Sequence, residues 1–126
     1  LTPSISTTPK RVLVVDDDRH CAELLASIVM LLGHTTVLSD GGSAGIELAK
    51  RFQPDVIFWT LEKPLDQQGS AVRELRRIEQ LRHTRLVALD SWRASHAQPA
   101  PADSGFDVHL ARPVQFDEID ALISSF

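Results

Sequence analysis

Two uninterrupted apolar runs, Val12-Leu13-Val14-Val15 and Val56-Ile57-Phe58-Trp59, constrain this chain more than any other feature. A strand with one face in water alternates apolar and polar residues, and these runs do not alternate. Each reads as a strand buried on both faces, which demands helices above and below a parallel sheet. The first strand, Arg11 to Val15, stops at Asp16-Asp17-Asp18, and the second run stops at Thr60.

The rest of the chain supplies the helices. From Arg19 to Leu32, apolar residues at Leu24, Leu25, Ile28, Val29, Leu31 and Leu32 follow helical spacing, and Gly33 is a natural C-terminal stop. Thr35 to Ser39 forms a short strand, and Gly41-Gly42 opens a helix with Ile46, Leu48, Ala49 and Phe52 on one side. A third helix is predicted from about Ser70 to Leu81, a fourth strand over Arg85 to Leu89 and a fifth over Val108 to Ala111. A last helix is predicted within Phe116 to Phe126. Strands alternating with helices predict a flavodoxin-like, doubly wound α/β fold with five parallel strands in the order 2-1-3-4-5.

Ser91 to Gly105 should hold a fourth helix, yet it contains Pro99 and Pro101. A proline inside a helix costs about 3 kcal/mol. That slot is predicted to be a short helix, a broken one or a loop. Residues 1–9, rich in Ser, Thr and Pro, read as a flexible tail, and residues 10–126 as one domain with no internal repeat. Because the chain opens on Leu1, it is expected to be a processed or cut piece of something longer.

Composition excludes several classes. The formal net charge is −4 and no Lys/Arg stripe is interleaved with aromatics, so nucleic acid is not expected as a direct partner. No apolar run approaches the length of a membrane helix, and no secretory signal opens the chain. Cys21 is the one cysteine, so no disulfide forms within the chain; a cytoplasmic, reducing setting is expected. Cys21 itself reads as a small core residue of an amphipathic helix.

In doubly wound sheets the ligand site lies at the carboxyl ends of the strands. Strand one delivers Asp16, Asp17 and Asp18 there, strand three Thr60, strand four Asp90 and Ser91, and strand five Arg112 and Pro113. Consecutive carboxylates repel one another unless a cation shares them, and Mg²⁺ prefers oxygen ligands. Asp16 and Asp17 are therefore the candidate metal ligands, while Asp18 suits the start of the first helix, where an acid complements the macrodipole.

At this point the chain resembles the receiver domain of two-component response regulators. The resemblance is carried by "VLVVDDD" on the first strand, "PDVIFW" on the third, Pro64 and Gly69 after it, and "HLARPV" on the fifth. It implies phosphoryl transfer from a kinase histidine to an Asp at the end of strand three. It also implies an acidic pair for Mg²⁺, a Ser/Thr on strand four and a Lys before a proline. Asp16 and Asp17 match the acidic pair and Pro113 the proline. Three positions depart: Thr60 stands at the phosphoacceptor, Asp90 at the Ser/Thr and Arg112 at the Lys.

The departures have chemical meaning. A carboxylate is an anionic nucleophile at neutral pH, whereas a Thr hydroxyl needs an adjacent base. Asp90 would repel a phosphoryl group, and Arg112 prefers a bidentate carboxylate, so the two suggest an internal ion pair. Glu62 and Asp66 are the neighbours that could rescue acceptor chemistry; Asp55 is at the far end of the strand, about 15 Å from Thr60. His109 takes the position of the family's switch aromatic and is expected to be a half-exposed strand residue, and His20, His34, His83 and His96 surface residues. Trp59 reads as core and Trp92 as a partner contact or lid.

The expectation is an atypical receiver: a non-enzymatic signalling module that contacts a sensor kinase or effector domain, with a homodimer as a further partner state and Mg²⁺ weak or absent. The alternatives are a receiver phosphorylated at a non-standard residue and a Mg²⁺-dependent phosphohydrolase using Asp16-x-Asp18. The latter lacks the Thr or Val after the second Asp and the later acidic pair.

Overall fold

The computed structural model describes residues 8–60, 72–90, 98–99, 105–111 and 114–126. In chain order the elements are β1 (Arg11–Val15), α1 (Arg19–Leu31), β2 (Thr35–Ser39), α2 (Ser43–Phe52) and β3 (Val56–Thr60). Helical residues 72–77 (α3) and a 3-10 turn, Glu79–Leu81, follow. Then come β4 (Arg85–Asp90), β5 (Gln98–Pro99), β6 (Val108–Ala111) and α4 (Phe116–Ser124). The sheet order is β2-β1-β3-β4-β6-β5. Its first five strands are parallel, and β6 is the predicted fifth strand. The flavodoxin-like order is therefore as expected, with one addition: β5 pairs antiparallel with β6 at the edge.

Residue parity builds two cores. Along a strand, successive side chains point to opposite faces. Val12, Val14, Val56, Phe58, Val87 and Leu89 pack under α1 and α4. Leu13, Val15, Ile57, Trp59, Leu86 and Ala88 pack against α2, α3 and Leu81. Trp59 is core, as its sequence context predicts. This two-sided burial explains why β1 and β3 are continuous apolar runs.

One expectation is corrected here, and two others are sharpened. The third helix does not run unbroken to Leu81; it ends before Ile78, whose backbone is extended, and the 3-10 turn follows. Leu75 and Leu81 enter the same core, but six residues of α-helix would rotate them about 240° apart, so the break turns Leu81 back inward. On α1, Leu24 and Leu31 follow helical spacing as expected, yet they are 69% and 72% exposed. The buried ridge is Ala22, Leu25, Val29 and Leu32, and the other two lie off that ridge. In the fourth-helix slot, strand pairing at Gln98–Pro99 rules out a continuous helix; an edge strand tolerates the missing proline N–H. Residues 91–97 and 100–104, including Trp92 and His96, lie outside the described residues.

The amino ends of the strands are tied together. Arg76 donates to Gly105 O (2.9 Å), Thr84 O (2.9 Å) and Asp107 Oδ2 (2.8 Å). Asp107 Oδ2 also accepts the Leu86 N–H at 2.8 Å, and the Thr84 hydroxyl donates to Pro54 O at 2.7 Å. Asp55 accepts the Arg11 N–H at 2.8 Å, far from the opposite rim as expected. Gly105 has φ +88°, and a Cβ there would lie 2.3 Å from Val72 Cγ1, so this turn admits no other residue without distortion.

Candidate functional site at the carboxyl rim

The geometry of the rim follows from strand register. Val15 is paired with Trp59, so one residue further on Asp16 and Thr60 stand side by side. Parity turns both toward the α1 face. The Thr60 hydroxyl donates to Asp16 Oδ2 at 3.0 Å, and both residues are buried. Asp16 Oδ1 accepts the Asp18 N–H at 2.8 Å.

The same parity separates Asp17 from Asp16. Asp17 is exposed and its Oδ1 accepts the Gly41 N–H at 2.8 Å, in the turn that leads to α2. Asp18 is the N-cap of α1: its carboxylate accepts the His20 and Cys21 N–H groups at 3.0 and 3.2 Å. The hydrogen bonds from Cys21 lead the causes that lower its pKa below the usual carboxylate value. Three consecutive acids thus take three separate tasks, and Asp18 serves the helix as its position predicts.

His109 corrects a further expectation. It is 2% exposed, not half-exposed, and its ring meets Phe106 edge-on with centroids 6.0 Å apart. The register pairs it with Ala88 of β4, on the α2–α3 face, and with Gln98 of β5. His34 is likewise buried, not on the surface; its Nδ1 accepts the Lys10 N–H at 3.0 Å. Burial first, then the Lys10 charge, lowers its pKa, against an opposing effect of Asp120. His20 and His83 are exposed as expected.

Asp90 closes β4 opposite Ala111; its side chain lies outside the described residues, as do Arg112 and Pro113. The proposed Asp90–Arg112 ion pair, and Glu62, Pro64, Asp66 and Gly69, fall there too. Beside the Asp16–Thr60 contact, a groove of about 460 Å³ runs along α1, lined by Asp16, Cys21, Leu24, Ile28 and Leu89. The sequence reading missed this groove. Its signal was there in hindsight: the stretch from Leu24 to Gly33 carries no charge at all. Cys21 is half-buried on its wall rather than fully in the core.

No protein-family model matches the chain. It is 20% identical over 118 residues to the polar-differentiation response regulator DivK of Brucella anthropi, covering 94% of this chain and 96% of that one. A CheY-like response regulator receiver domain from Methylobacillus flagellatus superposes with a TM-score of 0.78 at 18% identity, covering 94% of this chain and 98% of that one. The receiver domain of the sensor histidine kinase PA1611 of Pseudomonas aeruginosa superposes with a TM-score of 0.75 at 22% identity, covering 94% and 97%. The fold is that of a response-regulator receiver domain. Homologues and structural neighbours support that assignment together, over almost the whole chain.

The PA1611 receiver domain holds a magnesium ion in its active-site cleft. The carboxyl rim of this chain, among the described residues, fits such an ion poorly. Both oxygens of Asp16 already accept hydrogen bonds from the protein, and Asp17 accepts one from the α2 turn. Among the described residues, no three acidic, His or Cys side chains converge. Mg²⁺ sheds its hydration shell reluctantly and depends on charged oxygen ligands; here the third strand offers a neutral hydroxyl that points its proton at the carboxylate.

Proposed function

We propose that this chain is an atypical receiver domain, a protein-interaction module of a two-component, phosphorelay-type system that works without an aspartyl phosphate. The observation that carries the reading is Thr60: it ends β3 and spends its hydroxyl on Asp16. Its partners are signalling proteins, a sensor kinase or an effector domain, with a second copy of the chain as a further one. The module acts by contact and turns over no substrate. Asp90, His109, Arg112 and Pro113 stand at the positions that match the family's phosphate-contact and switch residues in sequence.

One geometric feature favours a second reading. Asp16 Oδ2 is placed to take the Thr60 proton, which is the adjacent base a hydroxyl nucleophile requires. In that case Thr60 Oγ1 attacks the phosphorus of a phosphohistidine, the P–N bond breaks, and a phosphate ester forms in place of an acyl phosphate. The deep burial of Thr60 weighs against access, so this reading ranks second.

Intact mass after incubation with Mg²⁺ and a small acyl-phosphate donor tests both. The first reading expects no adduct on the native chain. An adduct labile to hydroxylamine would overturn it and direct attention to Glu62, Asp66 and Asp90. A hydroxylamine-resistant adduct that maps to Thr60 and disappears in Asp16→Asn would establish the second reading instead.

A further inference from the structure

We propose that the Thr60 hydroxyl stands in for the divalent cation at this rim, so that the module keeps its conformation independently of Mg²⁺. The inference deepens the reading above and relies on it for the identity of the rim. Its basis is electrostatic. A buried carboxylate needs donors or a cation to offset the loss of water. Asp16 has the donors in place: the Asp18 N–H at 2.8 Å on one oxygen and the Thr60 O–H at 3.0 Å on the other.

The second carboxylate does not compete for the same point. Consecutive residues leave a strand toward opposite faces, and Asp17 is held by the Gly41 N–H at 2.8 Å. That contact is close-fitting, since a Cβ at Gly41 would lie 3.3 Å from Asp17 Oδ1. A cation entering here competes with the Thr60 hydroxyl for Asp16 Oδ2 and with the Gly41 N–H for Asp17 Oδ1, and it sheds part of its own hydration shell. In return it meets two carboxylates, where an Asp at position 60 would supply a third. Affinity in such sites follows ligand charge. The Thr60–Asp16 bond also joins β1 to β3 across the rim, so it supplies the cross-strand tie that a shared ion would otherwise make.

The substitution Thr60→Asp reverses the arrangement. It replaces a proton donor with a carboxylate facing Asp16, creating repulsion that a divalent cation relieves. The test is thermal unfolding of the native chain and of Thr60→Asp in EDTA and in millimolar Mg²⁺ at matched ionic strength, with no phosphoryl donor present. The native midpoint is expected to be the same in both buffers. Thr60→Asp is expected to melt lower in EDTA and to recover by several degrees with Mg²⁺, through preferential binding to the folded state. A saturable Mg²⁺ stabilisation of the native chain overturns the proposal, and so does a folded Thr60→Asp variant that ignores Mg²⁺.

Should Thr60→Asp not fold, Mn²⁺ titration of the native chain followed by NMR decides the matter. Paramagnetic broadening centred on Asp16, Asp17 and Thr60 refutes the proposal, and its absence at that rim upholds it. Failure here is distinct from failure of the functional reading, which turns on a phosphoryl adduct and not on cation binding.

Discussion

The two rims of the sheet are built on opposite plans. At the amino ends, charged groups are spent on structure: Arg76 alone joins α3 to the start of β4 and to the turn before β6. Asp107 and Asp55 each accept strand N–H groups, and Arg11 stacks on Phe52 with 4.2 Å from its guanidinium carbon to the ring centroid. At the carboxyl ends, among the described residues, β1 meets β3 through a neutral hydroxyl on a carboxylate, and meets the β2 end through the Asp16 N–H on Ser39 O and the Gly41 N–H on Asp17. The fold is thus secured away from the place where receiver chemistry occurs.

Substitutions that remove one tie from each rim test this division. Arg76→Ala should cause the largest loss, about 2–3 kcal/mol, because it strips charge-assisted bonds from three acceptors, with partial exposure letting water recover some of them. Urea unfolding would measure it. Thr60→Val keeps the shape and strand preference of Thr but leaves a buried carboxylate oxygen short of a donor, and should cost about 1–2 kcal/mol. Thr60→Ser, which retains the hydroxyl, should lose less than Thr60→Val. A Thr60→Val loss as large as that of Arg76→Ala would break the comparison.

The smallest effect lies at the amino rim and depends on pH. In the folded chain His34 is buried with Nδ1 accepting the Lys10 N–H, and its pKa is lowered from the ordinary value of 6.5. Below that value the unfolded chain takes up the proton while the folded chain resists it. Stability associated with His34 is therefore full above pH 6.5 and declines as pH falls toward the lowered folded value. The slope contributed by one such group is at most about 1.4 kcal/mol per pH unit. His34→Asn, compared with the native chain by urea unfolding at pH 7 and at about pH 5.5, should show a shallower decline. Parallel pH profiles for the two proteins would remove His34 from the account.

Much of this was legible in the chain itself. The unbroken apolar runs of β1 and β3 required burial on both faces, and with it the layers; the alternation of strands and helices pointed to the parallel sheet and the order of a doubly wound fold. Thr60 at the end of β3 could be placed on the rim without coordinates, because a strand end is defined by where its apolar run stops. Asp18 could be assigned to the helix start for the same local reason. Pro99 argued correctly against a regular helix in its slot, since the missing N–H is a property of the residue alone.

Other features depended on distances between segments far apart in the chain. That Asp16 and Asp17 diverge, and that Asp16 meets the Thr60 hydroxyl instead of sharing a cation with its neighbour, follows from register between strands 44 residues apart. The burial of His34 and His109 was hidden because a histidine carries no sign of what will cover it; Lys10, Phe106 and β5 meet these residues only after the sheet assembles. Leu24 and Leu31 looked like core by composition, yet which arc of α1 faces inward is decided by the sheet it packs on. Local sequence determined the elements and their ends, because backbone preference and apolar run length are local quantities. Tertiary structure alone decided the partners of the polar groups, because a hydrogen bond requires two atoms that only the finished fold brings within 3 Å.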